Sequence, residues 1–261
     1  MMGMHWLRWA TLTALLWLGG CHADSEDPAG QAKEMADPVR REFALGNLQR
    51  IHSTLLGKAQ GKREEPTLVA FREATQALLT KLYIDHPEDS QNGLRVLSLL
   101  QEMREPRALP ALLKGLEWQA EVTEEHAISA ALTLQLIPLP EDKRGEAIAD
   151  LSKALERVTG KRGVDNRMRK GFIEALGVIG DKRAVPALSA VMLAQSDAQN
   201  FLFNNLAVMQ LAKIADPETV PGLIKALYLC DPNSPAMRIN KAFADKPAKV
   251  SLALLTRDEK R

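Results

Sequence analysis

From residue 39 onward, apolar residues recur every three or four positions, which is the spacing of one face of an α-helix. No segment shows two alternating apolar runs joined by a short turn, which would indicate a β-hairpin. The pattern therefore predicts an all-α fold built from amphipathic helices. The clearest stripes are Leu94, Leu97 and Leu100; Phe172, Ile173, Leu176 and Ile179; and Leu206, Met209, Leu211 and Ile214.

Three segments of the chain resemble one another: residues 104–112, 180–188 and 215–223. Each follows an apolar helix and opens a second one, with an acidic residue at the turn and a proline after it. The acid is suited to cap the second helix, and a proline is tolerated in a first helical turn. Because a single pair of helices cannot bury its apolar faces, several pairs must stack. A divergent copy runs through Ala147, and a weaker one begins at Pro66.

These segments resemble the HEAT family of repeats, in particular the short type found in phycobilisome-lyase-like proteins. The resemblance covers residues 91–118, 165–195 and 199–230, with a divergent copy at 123–158 and a weaker start at 40–83. It implies an α-solenoid of about five helix pairs over residues 39–230. It also implies a right-handed superhelix whose second helices line the concave face. Residues 231–261 are predicted to form a partial repeat or a C-terminal cap.

The first twenty-one residues predict an export signal. An apolar run from Trp9 to Leu18 is too short to cross a bilayer but has the length of a signal-peptide core. It ends in Leu18-Gly19-Gly20-Cys21, which resembles the lipobox of bacterial lipoproteins. The resemblance implies that residues 1–20 are removed and that Cys21 is acylated. An ordinary secretory signal with a chance cysteine is the alternative.

Residues 21–38 follow as small, polar positions with almost no large apolar group, so we expect a flexible tether there. Without residues 1–20 the acidic and basic residues balance, because the full chain has 34 Lys plus Arg against 33 Asp plus Glu and Arg8 is lost. This neutral balance argues against nucleic acid as a partner. Cys230 is the other cysteine, and we interpret it as a buried thiol.

The sequence predicts no catalytic site, no metal site and no cofactor. The histidines after the signal are scattered, at positions 22, 52, 86 and 126, without the helical spacing of metal ligands. Neither a phosphate-binding glycine loop nor a Gly-x-Ser-x-Gly elbow occurs. Some HEAT-repeat hydroxylases hold iron through His-Glu dipeptides, and this sequence has none.

Candidate partner-binding residues lie late on the predicted second helices. Trp118 and Tyr228 are of the types that dominate interface energies, and Met192 falls nearby, although core packing is an alternative for all three. Lys114 and Lys225 occupy equivalent repeat positions and are expected to face solvent. A basic cluster between residues 161 and 170 is interpreted either as a contact for anionic groups or as a solvated loop.

Together these features predict a lipoprotein of the bacterial cell envelope that acts as a protein-binding or scaffolding module. Its membrane attachment would be the lipid on Cys21, and its partner an unknown protein or peptide of the envelope. His22 after the acylated cysteine favours the outer membrane over the inner one under the enteric sorting rule. Two alternatives remain open: a lyase-like enzyme that binds a small ligand or cofactor, and a structural component of an envelope assembly.

Overall fold

The computed structural model describes residues 23–117, 124–159, 164–194 and 200–223. All regular secondary structure in these ranges is helical. The chain divides into two compact units, Met1–Thr75 and Gln76–Arg261. The described part therefore confirms the predicted all-α class.

The first unit is built on helices α1 (Pro28–Glu34) and α2 (Arg41–Lys58), together with the first half of α3 (Pro66–Asp85). Helix α1 is capped by Asp27, whose carboxylate accepts hydrogen bonds from two amides of the first turn. It packs against α2. Within this unit the His52 ring lies 5.4 Å from the ring of Phe71, and both residues are buried.

The prediction that residues 21–38 form a flexible tether is wrong for the described part of that segment. Met35 is 1% exposed, and Ala32 and Gln31 are also buried. The buried Gln31 amide donates to the carbonyl oxygens of Ala23 and Asp24, at 3.2 and 3.0 Å. A single methionine and these polar contacts order a segment whose low apolar content predicted disorder.

The second unit begins with the end of α3 and continues through seven further helices in its described residues. They are α4 (Ser90–Met103), α5 (Leu109–Gly115), α6 (Glu124–Leu134), α7 (Glu141–Val158), α8 (Asn166–Ile179), α9 (Val185–Leu193) and α10 (Asn200–Ile214). The even-numbered helices α4 to α10 pack in sequence as one layer, and α5, α7 and α9 pack as a second layer. This sequential two-layer packing is that of an α-solenoid and confirms the predicted fold class.

The three similar segments fold into the same turn. Arg104, Gly180 and Ala215 end their first helices in the left-handed conformation, at φ 51°, 70° and 55°. Each donates its amide to the carbonyl four residues earlier. A single turn of 3-10 helix then precedes the second helix, over Pro106–Ala108, Lys182–Ala184 and Pro217–Thr219.

The acidic residue of this turn has its predicted capping role in two of the three copies. Asp181 and Asp216 each accept a hydrogen bond from the backbone amide two residues later, at 2.9 Å. Glu105 makes no such cap, and its carboxylate binds the guanidinium of Arg107 at 2.9 Å instead.

The divergent copy lacks the turn, because α7 begins at Glu141 directly after an extended stretch that ends at Pro140. The core of the second unit is filled by aliphatic side chains together with Phe172, which is fully buried. Among the described helices, none combines the length and the apolar character needed to cross a bilayer. The predicted terminal segment 231–261 lies outside the described residues.

Candidate functional site

A pocket of about 270 Å³ opens in the second unit where α3 and α5 end and where α4 and α6 begin. Its interior is formed by Tyr83 of α3 and His126 of α6, and glycines of α4 and α5 complete the wall. Lys114 and Glu117 stand at its rim. A concave site with several converging polar groups is the usual form of a binding site.

Tyr83 and His126 form a buried hydrogen-bonded pair. The Tyr83 hydroxyl lies 2.8 Å from Nδ1 of His126, and Nε2 of the same ring lies 3.0 Å from the carbonyl oxygen of Ser90. A carbonyl can only accept, so Nε2 carries the proton and donates to Ser90. Nδ1 of the neutral ring then accepts from the tyrosine. The Tyr83 oxygen keeps lone pairs with which it can accept a hydrogen bond from a ligand.

Burial moves both pKa values in the direction that keeps the pair neutral. It raises the pKa of Tyr83, and the negative charge of Glu117 raises it further. Burial lowers the pKa of His126, and the hydrogen bond to the Ser90 carbonyl partly opposes that effect. At neutral pH the pair is therefore an uncharged donor and acceptor rather than an ion pair.

Two glycines let the helices approach this pair closely. A Cβ atom on Gly93 of α4 would lie 2.8 Å from Cε1 of His126 and 3.4 Å from the Tyr83 ring. A Cβ atom on Gly115 of α5 would lie 3.0 Å from the Cβ of Ala130 and 3.1 Å from the Tyr83 hydroxyl. The absence of these side chains creates the space that the rings occupy.

The rim of the pocket carries both signs of charge. Lys114 Nζ lies 2.6 Å from a carboxylate oxygen of Glu117, and both side chains are partly exposed. On the opposite side Asp89 accepts from the Asn92 amide and so caps α4, while His86 pairs with Glu88 at 3.0 Å. These groups are accessible from solvent, whereas Tyr83 and His126 are buried.

Of the predicted partner-binding residues, Lys114 was expected to face solvent; its side chain is 40% exposed and lies at this pocket. Met192 is 4% exposed, and its methyl group would lie 3.3 Å from a Cβ atom on Gly222, so it packs in the core and offers no surface to a partner. Core packing is the role that the sequence left open for Met192 as the alternative to partner binding. Trp118, Tyr228, Lys225 and Cys21 lie outside the described residues.

The described part of the basic cluster is neutralised by neighbouring groups. Arg167 binds Asp165 at 2.7 Å and also Glu125, and Lys170 lies 3.8 Å from Glu174. Arg169 is buried, donates to the Val158 carbonyl and lies over the Phe203 ring. Arg167 and Lys170 are thus exposed but paired with acidic side chains, and Arg169 has a structural role.

Sequence reasoning did not identify the Tyr83–His126 pair. The two residues are 43 positions apart and belong to different helix pairs, so no local spacing connects them. In the sequence His126 is one of the four scattered histidines after the signal, which lack the spacing of metal ligands. Within the described ranges no group of three potential metal-ligating side chains occurs. The signal that the sequence does offer is a glycine within each of two predicted helices, at Gly93 and Gly115, which indicates a close approach but does not name Tyr83 or His126 as the partner.

Residues 168–193, which comprise most of α8 and α9, match the family model of the PBS lyase HEAT-like repeat. The chain therefore contains a repeat of the HEAT-like type, as the sequence resemblance suggested. The match covers one helix pair, including the Gly180–Asp181 turn. No curated protein and no solved structure matches the chain.

Proposed function

We propose that this chain is a lipid-anchored protein of the bacterial cell envelope whose HEAT-like solenoid binds a protein partner and catalyses no reaction of its own. The observation that carries the binding role is the pocket at Lys114 and Glu117, with Tyr83 and His126 in its interior. Stacked helix pairs present an extended surface, and a pocket within it offers an anchoring point for one side chain of a partner.

The chemistry of the pocket favours a side chain that donates hydrogen bonds. Both the Tyr83 oxygen and the Glu117 carboxylate can accept, and Asp89 adds a second carboxylate on the other side. The Lys114 ammonium can in turn bind an acceptor on the partner. Trp118 directly follows Glu117 in the sequence, and we therefore include it in the proposed contact, together with Tyr228 and Lys225.

Exposed aliphatic side chains on the other layer are the competing surface. Leu132, Val178 and Met209 lie on three successive first helices and are 41%, 50% and 48% exposed. Aliphatic residues exposed singly are common on soluble proteins, and none of these three lines the pocket at Lys114 and Glu117. We therefore place the partner at the pocket and use Val178 and Met209 as a control.

Crosslinking in native envelopes, followed by affinity purification and mass spectrometry, tests this assignment. One recurrent envelope protein should be captured with the wild type and lost when Lys114→Glu is combined with Trp118→Ala and Tyr228→Ala. The matched control, Val178→Ser with Met209→Ser, should retain it. Loss in the control instead of the pocket variant, or no partner above background, contradicts the proposal. Circular dichroism of each variant verifies that it is folded.

The anchor is proposed from the lipobox-like run that ends at Cys21, and it has a separate test. Cys21→Ser should abolish acylation and leave either an uncleaved product, recognised by its mass, or a soluble product that leaves the membrane fraction after an alkaline wash. A Cys21→Ser variant that is cleaved and still fractionates like the wild type would show that the lipobox interpretation is wrong. The measurement does not depend on finding a partner.

The buried Tyr83–His126 pair also favours a second candidate function, the binding of a small ligand as in a lyase-like protein. A neutral donor–acceptor pair beside a cavity is a common feature of ligand sites. Native mass spectrometry and absorbance of purified protein distinguish this candidate. A bound small molecule that is lost on Glu117→Gln would favour it over a protein partner.

A further inference from the structure

The first unit exposes two large apolar side chains next to each other at the start of α2. Val39 is 91% exposed and Phe43 is 67% exposed. Val39 lies in the turn that leads into α2, where the Arg41 amide donates to the Asp37 carbonyl oxygen at 2.9 Å, and Phe43 lies in the first turn of the helix. Gly46 follows Phe43 by three residues on the same helix face, and a Cβ atom there would meet nothing within 4 Å. An aromatic and a branched aliphatic side chain thus project from an otherwise open surface.

The chain that follows Cys21 is fixed to the same unit. The Ala23 amide donates to the Glu34 carboxylate at 2.7 Å, and Gln31 donates to the next carbonyl at 3.0 Å. The Arg50 guanidinium donates to the Ser25 carbonyl at 3.0 Å. Contacts from both α1 and α2 therefore hold residues 23–25 in place.

One carboxylate connects this start of the chain with the apolar pair. The Glu34 oxygen that accepts from Ala23 also lies 3.5 Å from the guanidinium of Arg40. Arg40 directly follows Val39 and lies one turn before Phe43. The start of the described chain and the apolar pair therefore lie at the same end of the unit. Only His22 lies between Cys21 and Ala23, and two peptide units span at most about 7 Å.

We infer that Val39 and Phe43 insert into the lipid interface beside the acylated Cys21, so that the first unit lies directly on the bilayer. This inference rests on the acylation proposed above. A lipid attached so close to an ordered residue places the bilayer within reach of the apolar pair, and burying apolar side chains at the interface is favourable. The surrounding charges are mixed, with Arg40 next to Asp37 and Glu42, so anionic lipid is not required.

Fluorescence quenching by brominated lipid measures this contact directly. The probe is the chain from residue 21 carrying Phe43→Trp and Trp118→Phe, which leaves one tryptophan. With Cys230→Ser, its Cys21 thiol is coupled to a maleimide lipid in neutral phosphatidylcholine vesicles. The tryptophan should lose most of its emission when the lipid chains are brominated, and the loss should not change with salt. Adding Val39→Ser should reduce the quenching.

The matched control places the tryptophan at the other end of the same helix, as Lys58→Trp with Phe43 retained. Position 58 lies about 22 Å along α2 from position 43, so its emission should be retained. Equal quenching at both positions, or none at position 43, overturns the inference. If the emission wavelength of the tryptophan at position 43 changes with protein concentration in the absence of vesicles, a second copy of the chain covers this surface. That result also overturns the inference.

The chemical coupling keeps this test separate from the anchoring proposal. Mass spectrometry of the N-terminal peptide from cells decides whether Cys21 is acylated. If it is not, the anchor fails while the vesicle measurement still reports whether Val39 and Phe43 enter lipid. If it is acylated and position 43 stays unquenched, the anchor is retained and the contact surface is wrong.

Discussion

Replacing Gly93 by alanine should destabilise the second unit, although alanine is the better helix former. The new methyl group would lie 2.8 Å from Cε1 of His126, closer than side-chain carbons approach in folded proteins. The ring cannot move aside without cost, because both of its nitrogens are hydrogen-bonded, to Tyr83 and to Ser90. Gly93→Ala therefore tests whether this network is a rigid part of the fold.

The expected magnitude follows from two opposing effects. Forcing an extra methyl group into a packed site costs about 1–3 kcal/mol. Removing glycine from a helix returns roughly 0.5–1 kcal/mol, because less backbone entropy is lost on folding. The net loss should lie between about 0 and 2.5 kcal/mol of unfolding free energy, with a central value of about 1 kcal/mol. Gly46→Ala on α2 is the matched control, since nothing lies within 4 Å of that Cβ position, and it should stabilise its unit.

Urea unfolding followed by circular dichroism measures both variants, and a third variant makes the argument specific. In a His126→Ala background the ring is absent, so adding Gly93→Ala should become stabilising. This reversal of sign is the result expected only if the methyl group meets the ring. If Gly93→Ala is as stable as the wild type, or destabilises equally in both backgrounds, the proposed packing of His126 is wrong.

Three further predictions concern the turns and the buried pair. Gly180→Ala should lower the unfolding free energy by roughly 1 kcal/mol and Arg104→Gly should raise it, because both positions have positive φ; urea titrations measure each. The hydrogen bond from Arg183 lowers the pKa of Asp181 to about 2, so the stability this carboxylate provides is present above its unfolded pKa and is lost as pH falls towards 2. Asp181→Asn should flatten stability between pH 4 and 2. The pKa of His126 is lowered by burial, so its contribution is present above about pH 6.5 and is lost as pH falls below that value. Thermal unfolding should show this loss, and His126→Gln should remove it.

The repeated architecture could be predicted from sequence because each helix pair carries its own signals. Stripes of apolar residues mark the helices, and the turn after Arg104, Gly180 and Ala215 recurs with an acid and a proline at fixed offsets. These are local properties, determined within a few residues by backbone sterics and capping. The divergent copy at α7 lacks the left-handed residue, and there the sequence comparison gave only an approximate alignment.

What sequence reasoning missed depends on contacts between distant segments. Tyr83 and His126 meet because two helix pairs stack, and nothing in either local sequence specifies the partner. The order of residues 23–35 has the same origin, because Gln31 and Met35 are buried against other parts of the unit. The composition of residues 21–38 predicted a tether, because the number of apolar residues in a segment does not show which surfaces of the folded unit can bury them.

At this pocket the buried pair Tyr83–His126 holds the fold together, whereas the rim residues Lys114 and Glu117 allow binding to be tested separately. His126 links α6 to Tyr83 of α3 and to Ser90 of α4, so one ring connects three helices. A change at either ring therefore alters stability and binding together, and loss of binding in such a variant would identify neither role. Lys114 and Glu117 contact each other at the partly exposed rim, and surface pairs of this kind contribute little to stability. Substitutions at Lys114 and Glu117 can remove the charges that a ligand or partner would meet while the fold is retained. Binding that is lost at the rim without loss of stability would assign this pocket as the recognition site.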